Sequence, residues 1–486
     1  MALEDIRSGR IAALARLRER GIDPFPSHTA RTHSAQQFLD THTALENNHE
    51  VVVIAGRVMS VRGHGGSIFV DIFDGTARVQ NYLQKDKMEE DAFNLFSEVV
   101  SVGDIIECTG VAFTTKRGMP SLSVSSWRML AKSLRPIPDE WFGIKDEEER
   151  YRKRYLDILL SKDLTDRFRR RSAFWNAMRQ YLLNREYVEV ETPIFETTTG
   201  GADARPFVTH HNALNMDIYL RISAGELWQK RLMVAGLPKT FEIGRIFRNE
   251  GMSSEHLQDY TQIEFYEAFK DYEEGMEMLT DMYRSVADSV YGTRTFTIRD
   301  FVVDLDKEWE RYDFCTIIKN EFGIDPLAPN EDDVRGVLRA HRIAFDAEAF
   351  NTVRGIDLLW KQIRKTLSGP GFLIGMPAYL EPLAKRSKKD PRIVERFQII
   401  LAGSEVGKGF SELNDPIDQA KRFAKQQALR DAGDDEAQMN DASYVEALEY
   451  GMPPAFGFGV SERLFSFFEN ISVREGQLFP LLRPKQ

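Results

Sequence analysis

Thiols are scarce in this chain of 486 residues: Cys108 and Cys315 are its only cysteines, and they lie far apart. That excludes a disulfide framework and a cysteine-based zinc knuckle. Long apolar runs are missing too. None approaches the roughly 20 residues that a membrane span requires, and Met1 to Arg20 is charged throughout, so neither a spanning helix nor a secretory leader is predicted. A reducing cytoplasm is the expected location. Positive charge is in deficit, with 64 Lys and Arg against 75 Asp and Glu and a net charge of −11. Such a balance argues against a protein that wraps nucleic acid electrostatically, although it leaves room for a local basic face. No internal repeat or low-complexity tract stands out.

What is present is an ordinary globular composition, 42% hydrophobic and 29% charged, at a length that predicts two or three domains. "LEDIRSGRIAALARLRERG" spaces Ile6, Ile11, Leu14 and Leu17 at helical intervals, and Gly21 with Pro24 ends it; it reads as a solvated helical flank within an N-terminal extension, residues 1–48. From Val51 to Leu130 the texture turns to short β-rich runs, "VVVIAGRVMSV", "SIFVDIFDG", "ARVQNYL", "DIIECTGVAF" and "SLSVSSWRML", parted by glycine-bearing turns. About five strands in roughly 80 residues suit an OB-fold barrel, assigned to residues 49–135, whose strand face often binds oligonucleotides. Phe69 and Gln80 fall on adjacent strands. They read either as core and surface, or as a ring that stacks on a base and an amide that reads its edge. "LRPIPDEWFGIKDEEERYRKRYLDI" follows as a linker, 136–160, with the change of texture near Pro136, and residues 161–486 are long enough for a catalytic domain.

One stretch gathers unusual chemistry. "FRNEGMSSEHLQDYTQIEFYEAF", residues 247–269, crowds an arginine, several acids, a histidine and aromatic rings together. It reads as a strand running to Asn249, a loop, and a return strand, with Arg248 and Glu250 sharing a face, as do Glu264 and Tyr266. Arginine offers a permanently charged fork for phosphate or carboxylate, and the acids suit a cationic group. A cross-strand salt-bridge ladder is the bland alternative. His256 and Tyr260 in the connection weigh against it.

This stretch resembles motif 2 of class II aminoacyl-tRNA synthetases, in the form found in the lysine enzymes. "FRRRSAFWNAMRQYLLNREYVEVETPIF" resembles motif 1, and "GMPPAFGFGVSERL" resembles motif 3. "RYLDI", "TTGGADARPFVTHHNALNMDIYLRI", "GFSELNDPIDQ" and "ALEYGMPP" are similar to further segments of the lysyl-tRNA synthetase family. The likeness covers about Val51–Asp288 and Gly369–Pro484, and is loose from about Tyr291 to Leu367. It implies an α+β protein: an N-terminal OB barrel that binds the anticodon, then a catalytic domain with an antiparallel sheet flanked by helices. It implies a cytoplasmic homodimer joined through motif 1, with L-lysine, ATP and tRNA(Lys) as substrates and Mg2+ as the metal.

The resemblance also implies roles. Arg248 would bridge the substrate carboxylate and the α-phosphate. Glu250 would sit near the adenine and Tyr260 would stack on it. Arg463 and His256 would meet the γ-phosphate, and Glu405 would hold magnesium. Glu226 and the Gly201 backbone would take the α-ammonium, Phe410 the aliphatic stem, and Glu264, Tyr266 and Glu412 the ε-ammonium. A buried cation needs such partners. Arg62, Phe69 and Gln80 would contact the anticodon.

Several positions depart from the family pattern. Lys408 stands where asparagine is usual and would neutralise the substrate carboxylate. Gln398 replaces a magnesium-binding glutamate, and a neutral amide is a weaker ligand. Ser121 replaces a glutamate of the anticodon face. Motif 3 is one residue short, and "RISAGELWQK" one residue long. Three other readings stay open: an aspartate or asparagine enzyme of the same class, a paralogue that lysylates protein, and a non-catalytic RNA-binding relative. The acids at Glu264 and Glu412 oppose the first, the barrel opposes the second, and retention of Arg248, Glu250 and Arg463 opposes the third.

Overall fold

The β-rich run that begins at Val51 closes on itself. The computed structural model describes residues 3–138, 144–251, 253–346 and 350–485. Its first strands are β1 (Val51–His64), β2 (Ser67–Phe73), β3 (Arg78–Gln84), β4 (Ile105–Thr114) and β5 (Pro120–Ala131). They form a closed barrel in the order β1-β2-β3-β5-β4. Strand alternation sends Ile68, Val70 and Ile72 of β2 inward to meet Val79 and Leu83 of β3. Phe69 therefore lies on the outer face, which excludes the core reading for it.

The N-terminal helix is not a solvated flank. Over Leu3–Glu19 its buried residues are Ala13, Leu14 and Leu17; Ala13 and Leu17 join the barrel core, and Arg10 donates to the Arg135 carbonyl at 2.9 Å. Ile11 stays 40% exposed. The spacing misled because the apolar stripe runs through Ala13 rather than through Ile11. In the stretch read as a linker, helices Glu147–Arg152 and Arg154–Leu160 form, with a buried Arg154–Asp157 ion pair at 2.9 Å. The chain divides into two compact units, Met1–Leu160 and Ser161–Gln486.

The second unit carries β6 (Val188–Glu189), β7 (Phe195–Glu196), β8 (Val208–His211), β9 (Met216–Leu220), β10 (Lys239–Phe247), β11 (Asp259–Ala268), β12 (Thr295–Ile298) and β13 (Phe301–Asp304). It continues with β14 (Glu310–Asp313), β15 (Gly371–Ile374), β16 (Arg396–Leu401), β17 (Ser404–Ser411) and β18 (Ala455–Ser461). Eight of them make one sheet, in the order β14-β15-β16-β17-β18-β11-β10-β6, antiparallel except for its two outermost pairs. Alternation then separates two cores. Ile263, Phe265, Phe456 and Phe458 face the helices Lys162–Leu183 and Tyr272–Tyr291, which bury Phe174, Met178, Leu279 and Tyr283 there. Tyr266 and Phe410 face the opposite side, packed with Leu227, Trp360 and Tyr444. The candidate site lies on that second face.

Candidate active site

Strand register aligns the site's floor. Gln398, Lys408, Gly459, Glu264 and Glu242 form one row across neighbouring strands, and Arg396, Phe410, Gly457, Tyr266 and Thr240 form the next. Glycine on β18 keeps the floor open. A Cβ at Gly457 would strike the Glu412 carboxylate and the Tyr266 ring, and one at Gly459 would lie 3.2 Å from Glu264 Cγ. The motif 3 segment thus leaves room that the side chains of its neighbours occupy.

At one end the acids converge. Glu264 accepts from the Ala224 N–H at 2.8 Å and the Gln262 amide at 2.5 Å, and on its other oxygen from the Tyr266 hydroxyl at 3.0 Å. The helix Glu226–Val234 starts after Gly225, whose φ of 78° suits glycine, and places Glu226 in its first turn with Lys230 one turn on. Lys230 Nζ lies 2.6 Å from Glu226 Oε1 and 2.5 Å from Glu412 Oε2. It also sits 5.3 Å from the Phe410 ring centroid and 5.8 Å from that of Tyr266. Gly201 closes against this group, since a Cβ there would lie 2.8 Å from Glu226 Cβ. Gly201, Glu226, Glu264, Tyr266, Phe410 and Glu412 are therefore together. Lys230 was missed by sequence reasoning; its only signal was the four-residue spacing from Glu226.

Burial sets the electrostatics here. It pushes Glu264 up to about 7, with Glu226 adding to the shift, and Glu412 up to about 8 against the pull of Lys230. Burial alone would lower the Lys230 pKa, but Glu226 and Glu412 outweigh it and keep the ammonium charged. Lys408 is less available than its position suggested. Its Nζ lies 2.7 Å from Glu381, which also pairs with Arg396 at 2.8 Å. Burial works to raise the Glu381 carboxyl, yet those two cations hold it below the usual carboxylate range.

The other end combines the loop after β10 with residues of β11, β17 and two helices. β10 stops at Phe247, not Asn249, so Arg248 and Glu250 lie beyond the strand. The Arg248 N–H donates to Gln258 at 2.7 Å, its Nε donates to the Ile222 carbonyl at 3.2 Å, and its guanidinium is 5.8 Å from the Tyr260 ring centroid. Burial raises the Glu250 carboxyl. Met252 lies outside the described residues. Beyond it, His256 Nδ1 is 2.8 Å from Ser253 Oγ, and burial, then Arg463, lowers its pKa. Arg463 donates to the Glu255 carbonyl at 3.3 Å and to the Glu405 carbonyl at 3.1 Å. Glu255 pairs with Arg299 at 2.5 Å.

Besides Arg299, two more side chains reach this end from the stretch that matched the family only loosely. The Trp360 indole N–H donates to Glu405 Oε1 at 2.7 Å. The turn after it is tied to the β16–β17 hairpin, Ala402 N–H to the Ser368 carbonyl at 2.7 Å and Gly403 N–H to the Leu367 carbonyl at 2.8 Å. That turn carries Arg364, whose buried Nε and Nη1 have no hydrogen-bond partner among the described residues. Glu405 is the candidate for a metal. One of its oxygens is engaged by Trp360, while Gln398 is neutral and accepts from Arg396. No group of three or more His, Cys, Asp or Glu among the described residues is arranged to hold a metal. The donors therefore fit an ion bound through one carboxylate and phosphate oxygens, a common magnesium arrangement, but not a cage that includes Gln398.

On the barrel, Arg62, Phe69 and Tyr82 form one row, and Ser60, Asp71, Gln80 and Ser121 the next. Phe69 stacks on Tyr82 at 4.5 Å and 18°. Arg62 pairs with Asp71 at 3.1 Å, and the Ser121 hydroxyl donates to Gln80 at 3.1 Å. Tyr82 was also missed, although it lies two residues from Gln80 and so on the same face.

A family profile described as tRNA synthetases class II (D, K and N) matches residues 146–483, and one described as OB-fold nucleic acid binding domain matches residues 52–130. The fold and site define a class II tRNA synthetase. Relatives named Lysine--tRNA ligase align end to end. That of Halalkalibacterium halodurans is 41% identical over 100% of this chain and 98% of its own, and that of Fervidobacterium nodosum 40% over 99% and 95%. That of Roseiflexus sp. is 40% identical over 100% of both chains. The chain belongs to the lysine--tRNA ligase family. Among the described residues no helix is long and apolar enough to cross a membrane.

Proposed function

We propose that this chain activates L-lysine with ATP and passes the lysyl group to the 3′ end of tRNA(Lys). In the first step a lysine carboxylate oxygen attacks the α-phosphorus, and the bond to the bridging oxygen breaks to release pyrophosphate. In the second, the terminal ribose hydroxyl attacks the lysyl carbonyl and AMP leaves. The protein contributes alignment and charge.

Arg248 bridges the carboxylate and α-phosphate, with Tyr260 stacked on the adenine and Glu250 beside it. Arg463 and His256 meet the γ-phosphate. Glu226 and the Gly201 backbone take the α-ammonium, Phe410 lines the stem, and Glu264, Tyr266 and Glu412 hold the ε-ammonium. Lys408, paired with Glu381, adds positive potential to this part of the site. Magnesium at Glu405 would neutralise phosphate charge.

The observation that carries this reading is the closed end with three carboxylates, which suits a cationic side chain and rejects aspartate. Charging total tRNA with each of the twenty amino acids tests it. Lysine alone is the expected result; charging by aspartate or asparagine, or by none, would overturn it. Phe69 and Gln80 bind the anticodon, so Phe69→Ala weakens charging by about 1–3 kcal/mol and leaves adenylate formation intact. Unchanged charging would remove Phe69 from that role. The exposed Leu183, Val188, Ile194 and Phe195 belong to the dimer contact, which sedimentation measures directly.

A further inference from the structure

Lys230 stands inside the acid end, yet the scheme above gives it no part. Its side chain is fully buried, and an ammonium in that position is tolerated only when paired. It holds Glu226 at 2.6 Å and Glu412 at 2.5 Å, between the rings of Phe410 and Tyr266. Glu264 and Tyr266 face the group from β11, Glu412 and Lys408 from β17 and the segment after it, and Tyr444 from the helix Ala442–Glu449.

The charges are unequal. Glu226 and Glu412 flank the one ammonium and Glu264 lies beside them, three carboxylates to one cation. When all are ionised the excess is two negative charges, which the two ammonium groups of a lysine match, its carboxylate being taken by Arg248. Glu412 adds a geometric sign. Lys230 Nζ lies 2.5 Å from Oε2 as an ion pair, yet neither oxygen of this buried carboxylate has a hydrogen-bond partner among the described residues, and Oε1 packs against Gly457. The carboxylate has a resident cation beside it and hydrogen-bonding capacity left for an incoming donor.

Resting on the lysine reading, we propose that Lys230 is a positioning and specificity-determining residue, the fixed counter-cation of the amino-acid pocket. Its charge opposes protonation of Glu412 and fixes the Glu226 and Glu412 side chains in place for the substrate's ammonium groups. Without that charge Glu412, already raised by burial, retains its proton to higher pH and loses its hold on an ammonium.

Lysine-dependent ATP–pyrophosphate exchange between pH 6 and 9 tests this with Lys230→Met, Lys230→Gln and Lys230→Arg. Lys230→Met should raise the lysine KM about tenfold or more at pH 7, leave the ATP KM within about twofold, and move the acidic limb of the pH profile up by about one unit. Lys230→Arg should restore the limb. Should the Met variant not fold, Lys230→Gln carries the same test, because it keeps hydrogen-bond donors while removing the charge. An unchanged lysine KM and profile in a folded variant would overturn the proposal. A lower lysine KM would also overturn it, because Lys230 would then compete with the substrate. Absence of lysine-dependent exchange in the unaltered protein would instead refute the lysine reading itself.

Discussion

The acid end and the phosphate end of the site are built in opposite ways. At the acid end, Glu264, Tyr266 and Phe410 come from strands in register, and Glu226 and Lys230 from successive turns of one helix. Glu264 there is held by fixed donors, the Ala224 N–H, the Gln262 amide and the Tyr266 hydroxyl. At the phosphate end, Glu255, Arg299, Trp360, Glu405 and Arg463 come from segments far apart in sequence and meet through single hydrogen bonds and an ion pair. A rigid, buried acid end can refuse the wrong side chain because its groups have no room to adapt. The phosphate end has spare donors, such as those of Arg364, and on the proposed scheme it gathers charge rather than discriminates.

Breaking the link between the two ends should have the largest effect. On the proposed scheme Arg248→Ala removes the group that bridges carboxylate and phosphate, and exchange should fall by about 10²–10³ or more while the oligomeric state measured by sedimentation is unchanged. A variant that fails to fold would make Arg248 a structural ion partner. Glu412→Gln breaks the acid end alone. The lysine KM should rise by the equivalent of about 2–3 kcal/mol, with the ATP KM unmoved, because Lys230 and the substrate ammonium would then share too little negative charge. Equal changes in both KM values would erase the distinction between the ends.

Arg364→Ala sharpens the comparison from the other side. Losing one charged donor should raise the ATP KM by the equivalent of about 1–2 kcal/mol and spare the lysine KM. An unchanged ATP KM would leave Arg364 outside the site. The smallest effect concerns stability. Glu264 and Glu412 have carboxyls raised from 4.5 to about 7 and about 8. The stability they contribute is full below the unfolded value and is lost as pH rises through 7 to 8. Thermal unfolding without substrate should therefore occur at lower temperature as pH rises from 6 to 8.5, and saturating lysine should reduce that fall. A pH-independent lysine effect would contradict the shifts.

The two ends also differed in how far they could be read from sequence. Alternation along "YTQIEFYEAF" places Glu264 with Tyr266, and the segments around Phe410 and Glu412 carry family motifs, so most of the acid end was legible. Lys230 was not, because a lysine on a helix reads as solvated until strands from elsewhere cover it. Trp360, Arg364 and Arg299 lie between Tyr291 and Leu367, where no motif guides the eye. Hydrogen bonds of that stretch to the β16–β17 hairpin, with the Arg299–Glu255 ion pair, bring it to the site. On the barrel, the alternation of Ile68 and Val70 with Phe69 determined which face Phe69 occupies. The five strands were visible from their turns, but the packing of the helix Leu3–Glu19 depended on Ala13, a residue too small to mark a stripe.

Selection at the acid end, on the proposed reading, is for an ammonium at the tip of the side chain. It is tested most directly by ATP–pyrophosphate exchange with lysine and with norleucine, which has the same carbon chain and lacks the ε-ammonium. Exchange with lysine and none with norleucine is the predicted result. Comparable exchange with both would mean that Glu264, Tyr266 and Glu412 do not read the substrate's charge.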